Sequence, residues 1–258
     1  MPLTATIGLA LAISAGGDPG PGAGPLPGPL HWYAAEGDAT DSAGAQHGVV
    51  SGVVGYTPGP VGMAFDFSGG GGVRMPATVA NFGAGDFTLA FWVRGELGGQ
   101  RQIMSKRTAC QCEFFFDIRA IATASMEMYA SCAPLTGAPI ALGGQPIIDG
   151  DWHHVAFVRE GTSRRGYVDG VVRSRVDSGL VPVVNTGAQL WLNGGPCVGS
   201  DGTTLLNGAI DEVRIYDRAV SIQEIRDLAG VCTGDLDGDG FIGFADLNIV
   251  LGAFNTAA

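Results

Sequence analysis

Charge is scarce in this chain. Only 15% of its 258 residues are Asp, Glu, Lys or Arg, against about a quarter in an average soluble domain. One sign dominates, with 14 Lys and Arg facing 25 Asp and Glu, a formal net charge of −11. An acidic surface has nothing to neutralise on nucleic acid or on an anionic membrane, which argues against both as partners. Long apolar runs are missing too. After the first fifteen residues no stretch is apolar enough for the roughly 20 residues that a membrane-spanning helix needs.

The common signatures of catalysis are also lacking. There is no Gly-x-Ser-x-Gly elbow, no His-Glu-x-x-His and no phosphate-binding glycine loop. Retaining glycoside hydrolysis needs two carboxylates about 5–5.5 Å apart, and no Glu-x-Asp-x-x-Glu triplet supplies them along a strand. Asp211 and Glu212 are adjacent in an alternating run and are expected on opposite faces. His153 and His154 are expected to point apart in the same way, so they do not chelate one metal. The chain reads as non-catalytic.

Turn chemistry is abundant. Glycine contributes 43 residues, and from Leu30 to Arg218 short alternating apolar runs are separated by turn residues. The clearest predicted strands are 64–67, 86–94, 102–106, 113–119, 152–159, 166–168, 188–192 and 209–217. In the last, Ile210, Glu212, Arg214 and Tyr216 are expected on one face, with Asp211, Val213 and Ile215 on the other. Tyr167-Val-Asp169-Gly170-Val-Val carries an Asp-Gly hairpin turn. So many closely spaced strands need two sheets packed face to face, and the fold class is all-β. The period changes only near Ser221. There Ser221-Ile-Gln-Glu224 is a capping box for a short helix that ends near Leu228 and is stopped by Gly230.

The first fifteen residues, an apolar run ending in Ile13-Ser14-Ala15, read as a signal peptide, although Lys and Arg are missing from its start. Residues 16–29 are a Pro/Gly-rich linker. Five cysteines, Cys110, Cys112, Cys132, Cys197 and Cys232, suit an exported protein. The simplest pairing is Cys112 with Cys132 across the ends of a hairpin and Cys110 with Cys197. Cys-x-Cys lacks the usual spacing of a zinc site.

The stretch Asp235-Leu-Asp237-Gly-Asp239-Gly240-Phe241-Ile242-Gly-Phe-Ala-Asp246 has the spacing of a calcium loop. Asp235, Asp237 and Asp239 supply carboxylates, Phe241 its backbone carbonyl and Asp246 the closing carboxylate, while water fills the vertex at Gly243. In the helix that follows, Phe244, Leu247, Leu251 and Phe254 form one apolar stripe. A helix this short is marginal alone, so the stripe is expected to pack on the sandwich, a second copy or a partner.

These blocks carry a resemblance. Leu30-His-Trp-Tyr-Ala-Ala-Glu36-Gly, Asp41-Ser-Ala-Gly44, Ala64-Phe-Asp-Phe-Ser-Gly, Asp86-Phe-Thr-Leu-Ala-Phe-Trp92-Val, Asp151-Trp-His-His-Val155 and Gly208-Ala-Ile-Asp211-Glu-Val-Arg-Ile-Tyr-Asp217 resemble a laminin-G-like, concanavalin-A-like jelly-roll domain over about residues 30–229. Residues 230–258 are similar to one type I dockerin repeat, in which Asp at the twelfth loop position is normal. The resemblance implies an antiparallel two-sheet sandwich that binds polysaccharide or glycoconjugate, exported to the cell surface or beyond, with a Ca2+ loop at its end. It also implies a cohesin-like protein as a possible partner of the tail. A second cation is implied between Asp41 and Asp211; alternatively Asp41 caps a turn and Asp211 accepts amides or an arginine. Tyr129, Trp191 and Arg94 are candidate sugar contacts, although an aromatic in an alternating strand is by default a core residue. Two other readings stay open: an adhesion or scaffold protein that docks other proteins, and the binding part of a truncated glycoside hydrolase.

Overall fold

The computed structural model describes residues 27–96, 98–110, 115–120, 124–129, 140–142, 146–177, 186–199, 202–231, 244, 247 and 248; for residues 115, 124–129 and 140 it describes the backbone alone. The predicted signal peptide, most of the linker, the calcium-loop residues Asp235, Asp237, Asp239, Phe241 and Asp246, and Cys112, Cys132 and Cys232 lie outside the described residues.

The strands in chain order are β1 (His31–Tyr33), β2 (Val49–Ser51), β3 (Gly55–Pro58), β4 (Met63–Asp66), β5 (Gly72–Met75), β6 (Phe87–Gly95), β7 (Gln100–Lys106) and β8 (Phe115–Ala120). They continue with β9 (Ala124–Tyr129), β10 (Ile140–Ala141), β11 (His153–Glu160), β12 (Ser163–Val168), β13 (Val171–Asp177), β14 (Leu190–Leu192), β15 (Thr203–Leu205) and β16 (Gly208–Tyr216), and a helix α1 (Ile222–Leu228) follows. One sheet runs β13-β12-β11-β6-β16-β4-β3, with β1 also paired to β16. The other runs β10-β9-β8-β7-β14-β5-β2, with β15 paired to β7. The β15–β7 pairing is parallel; the other pairings among the described strands are antiparallel. The two sheets stack as a jelly-roll sandwich, as expected.

Alternation explains the core. Phe87, Leu89, Phe91 and Val93 of β6 point inward with Val155, Phe157, Ile210, Val213 and Ile215 of the same sheet. They meet Val73, Met75, Ile103, Met104, Phe116, Ile118, Leu190 and Leu192 of the other. Each such side chain contributes roughly 1.5–3 kcal/mol by leaving water. The protein's single lysine, Lys106, also points between the sheets and is fully buried, its Nζ donating to the carbonyls of Ala77 and Ala188 at 2.8 and 2.9 Å. Burial pushes this amine down to about 8.

One strand departs from simple alternation. The register of β16 against β6 shifts between Asp211 and Arg214, and Glu212 adopts φ 53°. This bulge moves every side chain before it by one face. Ile210 therefore joins Val213 and Ile215 in the core, not Arg214 and Tyr216 as strict alternation predicts. Asp211 lies opposite Trp92, and Glu212 accepts the indole N–H of Trp32 at 3.1 Å. The two carboxylates thus share the outer face, which corrects the expectation that they point apart.

That outer face is half covered. The capping box forms as predicted, the Ser221 hydroxyl taking the Glu224 amide while Glu224 takes the Ser221 amide. Helix α1 then lays Ile225, with Val220, on Ala90, Ala156, Val158, Tyr167 and Tyr216. Gly230 leaves the helix at φ 68°, a conformation that costs glycine little. The predicted Asp-Gly hairpin also forms, with φ 50° at Asp169 and 72° at Gly170.

Because Ile225 is the fully buried anchor of α1, truncating it tests whether the helix folds with the sandwich. Ile225→Ala is expected to lower the free energy of global unfolding in urea by about 2–5 kcal/mol. A loss confined to local helix signal, with the main transition unmoved, would mean that α1 is a dispensable cover.

Candidate functional site

The outer face of the second sheet carries an open groove of about 640 Å³. Its base is β14, where Leu190 and Leu192 face the core and Trp191 between them faces out. Trp191 stands between Arg74 of β5 and Ser105 of β7 in register. The Arg74 guanidinium lies over the indole, 5.3 Å from the ring centroid. Gly194 allows the chain to press on the same ring, since a Cβ there would sit 2.5 Å from its Cε3.

The walls come from loops that are tied down. Asn193, at φ 51° and buried, donates from Nδ2 to Gly71 and Leu206 carbonyls at 2.9 and 3.3 Å and accepts the Leu206 amide at 2.6 Å. One amide side chain thereby joins three segments. The Cys110–Cys197 disulfide, with Cα atoms 4.8 Å apart and a sequence separation of 87, ties the loop after β7 to the loop after β14. This is one of the two pairings expected. Glycines 70–72 form the opposite wall. A side chain at Gly72 would collide with the Leu192 and Asn193 carbonyls.

Among the described residues the groove's lining carries one charged side chain, an arginine. Arg107 lines it. Arg107 and Arg119 both hold Oδ2 of buried Asp117, at 2.8 and 2.9 Å, so two guanidiniums share one carboxylate. No Asp or Glu lines the groove among the described residues.

Of the expected sugar contacts, the structure puts Trp191 in this groove. Arg94 lies elsewhere, stacked at 4.8 Å over Trp152 on the first sheet, and the side chain of Tyr129 is outside the described residues. Other groove residues, Arg107 and Asn193 among them, were missed in sequence because they sit far apart in the chain and meet only through the fold.

A second cluster sits on the outer face of the first sheet. Asp211 accepts the amides of Val61 and Glu212, and Glu36 accepts the amide of Met63 in the same turn at 3.1 Å. Burial pushes Asp211 up to about 7, and the negative charges of Glu212 and Glu36 act in the same direction. Burial also raises Glu212, opposed by its ion pair with Arg214. Asp41 is elsewhere and differently served. Its Oδ1 accepts the amides of Trp32 and Gly44 at 3.0 Å, and its Oδ2 accepts the amide of Gln46 at 3.1 Å and meets His31 Nδ1 at 2.8 Å. Burial opposes its ionisation, but these donors outweigh burial and hold its carboxyl below the usual range. Asp41 and Asp211 share no donor, and Asp41 accepts backbone amides of its own turn. Among the described residues no group of three or more His, Cys, Asp or Glu gathers as a metal requires.

His153 and His154 are separated as expected. His153 meets Asp169 at 2.8 Å and Asp149 at 3.2 Å. His154 is buried edge-on against Trp92, and burial drives it down to about 3, so it stays neutral.

The raised carboxyl of Asp211 has a signed consequence. Its preference for the protonated form stabilises the fold fully below the ordinary value of 3.8, and that contribution is lost as pH rises through about 7. In calcium-free buffer, urea unfolding of the wild type is expected to lose stability between pH 4 and 7 relative to Asp211→Asn. Parallel pH profiles for the two proteins would refute the assignment.

Comparison with known proteins adds the following. The family described as Laminin_G_3, concanavalin A-like lectin/glucanases superfamily, matches residues 67–226. No curated protein matches the chain in sequence. Among solved structures, domain 4 of AbnA, a GH43 extracellular arabinanase from Geobacillus stearothermophilus solved with arabinotriose, superposes with TM-score 0.62 at 21% identity, covering 78% of this chain and 98% of that one. The binding domain of Paraclostridial Mosquitocidal Protein 1 gives 0.62 at 14% identity, covering 79% and 52%. Botulinum neurotoxin type C, in a structure concerned with its interaction with two ganglioside molecules, gives 0.60 at 13%, covering 78% and 50%. The chain thus spans about half of the toxin chains and nearly all of the arabinanase domain. At these identities the likeness concerns the fold.

Proposed function

The chain belongs to the concanavalin A-like lectin/glucanase superfamily, and from that premise we propose that it is an exported, non-catalytic module that binds polysaccharide or glycoconjugate in the groove beside Trp191. The observation that carries this reading is the groove's rigidity. Its walls are glycine backbone clamped by Asn193 and tied by the Cys110–Cys197 disulfide, so little ordering is needed when a ligand binds. An open groove suits a segment of a chain polymer, and its floor offers an indole and guanidinium N–H donors to hydroxyl-rich rings. Solved relatives of this fold include a domain with a bound arabinose oligosaccharide and a ganglioside-interacting toxin, which supports the choice of ligand class.

Calcium is the second part of the proposal. Asp235, Asp237, Asp239, the Phe241 carbonyl and Asp246 would hold one Ca2+ through oxygen donors. For a second cation, expected between Asp41 and Asp211, the surroundings of Asp211, with Glu36 and Glu212 near it, have the negative charge that such a site needs. Exposure of Phe244 (76%) and Leu247 (48%) favours an additional role for the tail, the docking of a cohesin-like protein.

Two measurements test these readings. In affinity electrophoresis through polysaccharide-containing gels, the wild type is expected to be retarded by at least one polymer, and Trp191→Ala to lose at least tenfold in affinity while melting normally. Retention by no polymer would end the glycan reading. Calcium titration calorimetry should show one site fewer in Asp235→Ala/Asp239→Ala, with a lower Tm in calcium; identical heats would remove the loop from the proposal.

A further inference from the structure

We infer that the first sheet carries a second saccharide site, a pocket on its outer face between Asp66 and Arg94 that takes a neutral, hydroxyl-rich sugar residue. The site is separate from the groove and rests on the glycan reading only for its ligand class. The pocket holds about 310 Å³, at the small end of the range for ligand sites. Register builds it. Asp66 of β4 lies opposite Ala209 of β16, and Arg94 of β6 lies opposite the same alanine. Residues paired in this way share one face of a sheet. Their chain neighbours Phe65, Ile210 and Val93 are in the core, so all three face outward. A carboxylate and a guanidinium therefore start two strand spacings apart, roughly 9–10 Å at the backbone, with the methyl group of Ala209 as the floor between them.

The two charges line one pocket without pairing. Arg94 has no hydrogen bond and no ion pair among the described residues. Its guanidinium lies over Trp152, 4.8 Å from the ring centroid, and that stacking holds the plane of its N–H fork. The carboxylates are held as well. Asp66 Oδ1 accepts the Ser68 amide at 2.9 Å, and Glu96 Oε2 accepts Asn207 Nδ2 at 3.2 Å, so each keeps a second oxygen for a ligand. Thr57 and Ser68 add hydroxyls, and no large apolar side chain lines the pocket among the described residues. The mixture of signs decides the ligand. An acidic sugar would meet Asp66 and Glu96, and a cation would meet Arg94. A neutral sugar suits both, because a hydroxyl donates to a carboxylate and accepts from a guanidinium. The groove beside Trp191 opens on the outer face of the other sheet, so one module can hold two polysaccharide segments on opposite sides.

The test is affinity electrophoresis through gels of arabinan, galactan, xylan and polygalacturonate. It compares the wild type with Asp66→Asn/Arg94→Gln, with Trp191→Ala and with the variant combining all three changes. Asp66→Asn keeps an oxygen for the Ser68 amide, and matching melting curves exclude misfolding. At least one neutral polymer is expected to bind Asp66→Asn/Arg94→Gln tenfold or more weakly than the wild type. Trp191→Ala should keep part of its affinity for that polymer, and the combined variant should lose it. Migration in polygalacturonate should be the same for Asp66→Asn/Arg94→Gln and the wild type. If every polymer that retards the wild type retards the pocket variant equally, the second site is overturned while the groove stands. If the pocket variant loses binding and Trp191→Ala does not, the pocket stands and the groove falls. A loss on polygalacturonate as large as on neutral polymers would overturn the preference for neutral sugar. If no polymer retards the wild type, the glycan reading falls and the pocket falls with it.

Discussion

Face-to-face packing of two twisted sheets is the constraint from which the rest of this molecule follows. Neither sheet can leave its inner side chains in water. The ladder of Phe87, Leu89, Phe91 and Val93 along β6 must therefore find Met75, Ile103, Met104, Phe116 and Leu190 across the gap. Once that interface forms, the direction of every side chain on the central strands is set, because a slip of one residue would bury the polar set. Trp191 faces outward for this reason alone: Leu190 and Leu192 on either side of it are held in the core. The groove is the back of the core.

The same packing concentrates polar burden at the outer faces. Three of the four tryptophans, Trp32, Trp152 and Trp191, carry an arginine over the ring at 4.8–5.3 Å. A chain with few charges thus spends its arginines as covers for partly exposed aromatic surface, where the flat guanidinium is desolvated at low cost. At Trp32 the arrangement is closed by ion pairing, with Arg214 bound to Glu212.

Much of the architecture was legible in the sequence. All eight clearest strand runs overlap a strand, the capping box at Ser221 and the turn at Asp169-Gly170 form, and Cys110 pairs with Cys197. Each depends on local chemistry or on a period of two. Short strands such as β1, β2 and β15, three residues each, were not legible, because their pairing is decided by neighbours distant in sequence. The bulge at Glu212 was not legible either. A residue of ordinary β propensity at φ 53° carries no signal in the string, yet it places Asp211 and Glu212 on one face and produces the raised carboxyl.

By itself the sequence determined the all-β class, the period of the strands, the end of the helix and the calcium-type spacing of the tail, since all of these are written in residues within a dozen positions of one another. Tertiary structure alone decided which polar residues meet. It surrounded Asp41 with amides from the turn beside it and from β1, and it set Asp211 near Glu36. It brought Arg74 over Trp191 from a strand more than a hundred positions away. The physical reason is register: adjacency across a sheet is fixed by long-range burial of apolar side chains, and the polar groups meet wherever that burial leaves them.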